Sequence, residues 1–243
     1  MDDLNKYFID KVAAIRAGTA DAPDPLFTAT RSGVSLSSFS VIPVSDVVTG
    51  IMKLPDKSSA ADPLPVPVLK QVATDIAPFL TEVFNRSLAV GHFPMVFKEA
   101  FVTPVLKTPG LDTAEASSYR PISNLLVISK LLERLVAKQL TDFLQSADLL
   151  PSLQSGIRPG HSTETAALRV FSDILEAVDS GDVAALVLLD LSAAFDTVDH
   201  AILRRRLQVS YGLVALCWTV FGHICMGGPS MSDVTLLGLQ GHD

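Results

Sequence analysis

Apolar residues follow two kinds of pattern along this chain, one with helical spacing and one continuous. Between Ile122 and Ser146, positions Leu125, Ile128, Leu132, Leu135, Val136, Leu140 and Phe143 step by three and four, which predicts a long amphipathic helix. Leu4, Phe8, Val12 and Ile15 predict a shorter one over residues 1–18. A third is predicted from Ser162, a natural N-cap, through Leu168, Phe171, Leu175 and Val178 to a stop at Gly181. Short helices are expected after an N-cap at Ser45, ending before Pro55, at Val66 to Thr74, and at Ile76 to Val90 with Gly91 as the stop. Residues 20–40, rich in Pro, Ser, Thr and Asp, read as a linker or loosely held strap, and "PDKSSAADPLPVPVL" as a loop.

Two stretches read as strands. "EAFVTPVLK" combines β-branched residues with a proline, which suits an edge strand, and it ends on Lys107. "AALVLLDL" is short, continuous and apolar, as a strand buried on both faces would be. Such a strand needs a sheet covered by helices, so the class is α+β or α/β.

Composition adds limits rather than an identity. With 243 residues and 48% hydrophobic content the chain can bury a core of one or two domains. Only 19% of residues are charged and mean hydropathy is +0.37, so part of the surface is expected to meet a partner. The runs Val183 to Leu189 and Tyr211 to Met226 are too short for a membrane span, and Gly212, Gly222 and His223 interrupt the second. "MDDLNKYFIDKV" has no secretory pattern, and Cys217 and Cys225 alone make neither a disulfide framework nor a four-ligand zinc site. An intracellular location, nuclear or cytoplasmic, is expected. The net charge of −7 and pI of 5.2 argue mildly against nucleic-acid binding by the whole surface, yet basic residues gather in "KTPG", "YRPIS", "IRPGH" and "LRRRL".

Candidate chemistry concentrates in "LVLLDLSAAFDTVDH", where Asp190, Asp196 and Asp199 fall within ten residues. Two readings stay open. Asp190 at the carboxyl end of a buried strand could hold a hard divalent cation such as magnesium, since a buried charge needs compensation. Alternatively it caps the following turn, with Asp196 and Asp199 solvated at the start of a helix, and spacing alone favours this second reading. "GHSTE" comes close to a nucleophile elbow at Ser162, but Glu164 replaces the final glycine and no strand precedes it, which speaks against a serine hydrolase. There is no P-loop, no G-x-G-x-x-G, and no metal-type spacing among the histidines.

Four stretches then stand in a fixed order: "FPMVFKEAFVTPVLK", "SYRPISNLLVISKLLERLVAKQL", "LQSGIRPGHSTETAAL" and "LVLLDLSAAFDTVDHAIL". Together they resemble the reverse transcriptase domain of LINE-type (non-long-terminal-repeat) retrotransposons, and four ordered motifs are far more specific than one. The resemblance implies a helix-rich α+β chain in which residues 44–213 hold the fingers and the start of the palm of a right-handed polymerase. Residues 1–43 would be an upstream linker region with its short helix, and residues 214–243 a divergent tail. The implied activity is that of an RNA-directed DNA polymerase, using magnesium (Mg2+), an RNA template and a DNA primer.

By the same resemblance, Asp190 matches the catalytic, metal-binding aspartate of the first palm motif, and Leu191 would add a backbone carbonyl to the metal. Phe195 matches the position that packs under the incoming sugar and discriminates against a 2′-hydroxyl; its alternative role is an aromatic core residue. Asp196 is typical of the pattern without being the usual ligand, and Asp199 is expected to cap the next helix. Lys107 and Arg120 match finger residues that hold the nucleotide triphosphate, where a guanidinium suits phosphate geometry. The bland alternative for Arg120 is a residue that pins its own loop. Gln154, Gly156 and Arg158 match the motif along the template, although Ile157 stands where the family often has Phe.

One departure matters. The family draws its remaining carboxylates from a later palm hairpin with paired aspartates, and no Asp-Asp pair follows Asp190 here; the only one is Asp2 and Asp3. The expectation is therefore a truncated polymerase that is incompetent alone, with a non-catalytic RNA or RNA–DNA binding fragment, or a non-functional pseudogene product, as alternatives. Without the later hairpin, the strand bearing Asp190 should lack ladder partners and expose an apolar edge. The tail "ALCWTVFGHICMGGPSMSDV", read in a shifted frame with ordinary codons, resembles the family's usual continuation, which points to a frameshift that the nucleotide sequence would test.

Overall fold

The computed structural model describes residues 2–30, 33–56, 62–98, 100–190, 194, 198–226 and 235–236. Its order is α1 (Asp2–Gly18), α2 (Val44–Met52), α3 (Val66–Gln71), α4 (Ala73–Val90), β1 (Ala100–Leu106), β2 (Tyr119–Leu125), α5 (Val127–Ser146), α6 (Thr163–Asp179), α7 (His200–Tyr211), α8 (Ala215–Met226) and β3 (Thr235–Leu236). Helices packed on one core beside a small sheet make an α+β architecture. No helix among the described residues is long and apolar enough to cross a membrane.

The core is helical. Val47 and Ile51 of α2, Leu80, Phe84 and Leu88 of α4, and Leu131, Leu132 and Val136 of α5 are buried in one cluster, which α3 and Phe93 extend. These positions repeat at four residues on each helix, with Leu131 beside Leu132 on α5, so each contributes one apolar stripe. From α8, Val220 is buried in the same cluster, with Phe221 and Ile224 packed against it. Cys217 of α8 is fully buried, and burial pushes its thiol up to about 12, so it stays protonated at neutral pH.

Several boundaries differ from the sequence expectation for identifiable reasons. α2 begins at Val44 behind Pro43, not behind Ser45; the proline's ring presets its backbone, and no side chain caps the helix. The predicted helix from Ile122 divides, because Tyr119–Leu125 form β2 and only Val127–Ser146 are helical. Leu126, the residue before α5, has no polar side chain, and the first helical N–H is satisfied from a distance: Val127 N–H donates to Asp62 Oδ1 at 2.8 Å. Asp62→Ala is expected to cost about 0.5–2 kcal/mol, the usual range for a lost cap. A urea midpoint equal to that of the parent chain would show that the bond carries no net stability.

α5 also carries Glu133, whose carboxyl is held above its ordinary range by burial, with partial relief from Lys130. In the folded chain it keeps its proton over a pH interval where the unfolded chain has lost it. Stability is therefore fully present below the unfolded value of about 4.3 and falls as pH rises through the folded one. Glu133→Gln should gain stability relative to the parent as pH increases, measured as a growing difference in urea midpoint between acidic and neutral buffer.

β1 pairs antiparallel with β2 from Ala100↔Leu125 to Leu106↔Tyr119, and parallel with β3 at Phe101 and Val102. The sheet order is β2-β1-β3, so β1 is central where an edge strand was expected. The bond from Lys107 N–H to Ser118 O (2.9 Å) fixes the phase of the β1–β2 ladder. Hydrogen-bonded pairs alternate from there, which puts Pro104 opposite Pro121 at a non-hydrogen-bonded pair where neither needs an N–H toward the other. This is how a central strand tolerates its proline.

The described parts of the expected strap, residues 20–30 and 33–40, are tied down. Thr30 N–H donates to Val209 O at 2.9 Å, and Leu36 bridges Leu213, with Leu36 N–H on Gly212 O (2.9 Å) and Val214 N–H on Leu36 O (3.0 Å). Further along, Gln139 of α5 exchanges two hydrogen bonds with the Ser40 backbone (2.8 and 3.0 Å). Asn85 of α4 does the same with Ile42 (2.8 and 3.0 Å). Side-chain amides thus stand in for a neighbouring strand.

Candidate nucleic-acid interface

Side chains alternate across a strand, so the register sorts the ribbon into two faces. Val102, Pro104 and Tyr119 are buried on one. The other carries Val105 and its partner Arg120, both exposed, with exposed Lys107 two residues beyond Val105. The two predicted triphosphate-holding residues thus share one solvent-facing surface at one end of the ribbon, as diagonal neighbours. Lys107 Nζ donates to Ser117 O at 2.6 Å, which anchors its stem to the connecting loop. Tyr119 O–H donates to Thr113 O at 3.0 Å and closes that loop from the other side.

Gln154, Gly156 and Arg158 lie in the loop between α5 and α6 and hold it from within. Arg158 Nη1 donates to Pro151 O at 3.0 Å, and Gln154 Nε2 donates to Gly156 O at 3.3 Å. Their present bonds are therefore internal. The loop presents Ile157 at 97% exposure with φ of +56°, a backbone region that β-branched residues avoid. The following helix begins as expected at Ser162, whose side chain accepts from Thr165 N–H at 3.2 Å while Thr165 Oγ1 accepts from Ser162 N–H at 2.8 Å. The Ser162 side chain also holds the Glu164 carboxyl below its ordinary range. Its hydroxyl is engaged in the cap and lies beside a carboxylate whose basicity is lowered, which speaks against the hydrolase reading.

The largest correction concerns the buried strand expected to carry Asp190. Residues 182–190 form no strand and are exposed throughout, with Val183 at 98% and Leu189 at 89%. A two-sided buried strand needs ladder partners on the sheet, and the described sheet gives it none, so its apolar side chains meet solvent. Asp190 is exposed at the end of that segment. Leu191, Phe195 and Asp196 lie outside the described residues. Asp199 caps α7, its Oδ1 accepting from Ile202 N–H at 2.9 Å, as expected. Among the described residues no three His, Cys, Asp or Glu side chains come together as a metal cradle.

One cluster left no local signal in the sequence. Arg205 and Arg206 of α7 lie over the ring of Phe27 in the strap, with guanidinium carbons 5.8 and 5.4 Å from its centroid. "LRRRL" is visibly basic, but its aromatic partner is far away in the chain. Arg204 turns the other way and stacks on Trp218 at 3.8 Å.

Known proteins match this chain in sequence. The family described as reverse transcriptase (RNA-dependent DNA polymerase) matches residues 105–215, which include the ribbon end, the loop before α6, Asp190 and α7. The probable RNA-directed DNA polymerase from transposon BS of Drosophila melanogaster is 37% identical over 160 residues, covering 65% of this chain and 18% of that protein. The corresponding protein from transposon X-element is 30% identical over 188 residues, covering 77% of this chain and 20% of that protein. The RNA-directed DNA polymerase from mobile element jockey of the same fly is 33% identical over 162 residues, covering 66% of this chain and 18% of that protein. The chain thus spans about a fifth of the length of these relatives. Residues 105–215 match the reverse transcriptase family, and the relatives that match the chain are polymerases of LINE-type retrotransposons.

Proposed function

We propose that these 243 residues are the fingers and the opening of the palm of a retrotransposon RNA-directed DNA polymerase, and that alone they bind template and primer without copying. Within that reading, residues 44–213 are the polymerase portion, 1–43 the upstream region and 214–243 the divergent tail. The observation that carries it is the shared exposed face of Lys107 and Arg120, which offers two cations side by side to a phosphate chain. Gln154, Gly156 and Arg158 would meet the template strand once their loop opens. Asp190 and Leu191 would hold the catalytic metal, and Phe195 would pack against the incoming sugar, in a polymerase whose later carboxylates are supplied. Exposed Asp190, with no carboxylate cluster among the described residues, favours binding over catalysis in this chain.

Two measurements test this. With an RNA template, a DNA primer and magnesium, neither the chain nor its Asp190→Ala variant should extend the primer; extension that vanishes in the variant would overturn the non-catalytic half. In fluorescence anisotropy with an RNA–DNA hybrid, Lys107→Ala/Arg120→Ala should weaken binding and flatten the plot of log affinity against log salt by about two units of slope. An unchanged slope would remove the ribbon face from the interface.

A further inference from the structure

We infer that the strap and α7 form a second nucleic-acid site, which takes one unstacked nucleotide of a single strand. A cleft of about 390 Å³ lies between them, lined by Asp24, Pro25, Phe27, Ala201, Ile202 and Arg205. That volume suits a small ligand and excludes a duplex. Its chemistry is divided. Pro25, Phe27 and Ile202 supply an apolar, partly aromatic surface on which a base can lie. Arg205 and Arg206, both exposed and making no ion pair among the described residues, stand over the Phe27 ring and can meet the phosphate. Asp24 can accept hydrogen bonds from amino or imino groups on a base edge, and it would repel a phosphate placed on its own side. A peptide of Asp and Glu has no aromatic ring to stack on Phe27 and would bring its carboxylates against Asp24. A nucleotide satisfies all three kinds of group.

The site is separate from the Lys107–Arg120 face, and it rests on the reading that this chain meets nucleic acid. The strap that builds it is held by backbone bonds to Val209 and Gly212, so Phe27 is positioned against α7 before any ligand arrives. The test is photocrosslinking of a short single-stranded oligouridine carrying 4-thiouridine to the full chain, with the crosslinked peptides identified by mass spectrometry. Crosslinks are expected within residues 24–27, falling about fivefold or more in Arg205→Ala, recovering partly in Arg205→Lys, and persisting in Lys107→Ala/Arg120→Ala. Far-ultraviolet circular dichroism of each variant separates lost binding from lost folding, and the charge-retaining lysine keeps the test valid if alanine unfolds the chain. Crosslinks confined to residues 105–125 would overturn this site and leave the ribbon reading standing. Crosslinks nowhere would overturn both. Competition by polyglutamate as strong as by unmodified RNA would show a generic anion patch and overturn the nucleotide assignment.

Discussion

Phe84→Ala is expected to lose about 3–5 kcal/mol of folding stability, enough to leave a marginally stable chain largely unfolded. Phe84 is completely buried where α2, α4 and α5 meet, and its ring packs edge-on against Phe97 at 6.4 Å between centroids. Phe97 packs in the same way on Phe93, so one truncation removes a ring from a chain of three and leaves a cavity in the helical core. The loss combines transfer free energy, the cavity and the aromatic contact. Phe79 lies on the same helix at 74% exposure, and Phe79→Ala should stay within about 0.5 kcal/mol of the parent. Urea unfolding followed by circular dichroism compares the two. Similar losses from both variants would mean that α4 does not pack through the face described.

Gly212→Ala is expected to cost about 1–3 kcal/mol and to free the strap. Gly212 ends α7 at φ of +70°, in the left-handed region that a side chain disfavours. An added Cβ would also press on the Val34 carbonyl oxygen and stand 3.2 Å from Ser35 Cα. Both obstacles are backbone, so no rotamer change relieves them and the strap must move. Hydrogen exchange at Thr30, Leu36 and Val214 should accelerate together, because their bonds depend on the same docking. Gly18→Ala is the control, since a Cβ there meets nothing within 4 Å. Unchanged protection in Gly212→Ala would show that the strap is not held through this turn.

The helices were legible wherever local signals agreed. α6 begins at the capping serine and stops before Gly181, and α4 ends at Gly91, because caps and left-handed glycines act within one turn. What was illegible depended on distant residues. Leu125, three residues before Ile128, continues the periodicity of α5 backwards, yet residues 119–125 are claimed by β1, and a carboxylate at position 62 meets the first N–H of the helix. Residues 183–189 have the composition of a buried strand, but composition cannot supply a neighbour, and none of the described strands pairs with them. The candidate interface divides in the same way. Lys107 and Arg120 were visible as types, whereas their common face follows from the register, and the pairing of Phe27 with Arg205 follows from the strap's path.

The facing prolines of the ribbon bear on how this chain behaves among its copies. At a non-hydrogen-bonded pair each backbone nitrogen points away from its partner strand, so Pro121 faces the outer side of β2 and Pro104 the side where β3 lies. Neither offers a donor there. A strand arriving at β2 would find its template broken at Pro121, and the β1–β3 ladder meets a missing donor at Pro104 just past Val102. The sheet is therefore a poor seed for fibrils, and the apolar segment 183–189 cannot hide by adding to either side of it. Association of copies, when it occurs, should begin as amorphous clustering of that segment, relieved by a charge at Leu188, and should not bind cross-β dyes.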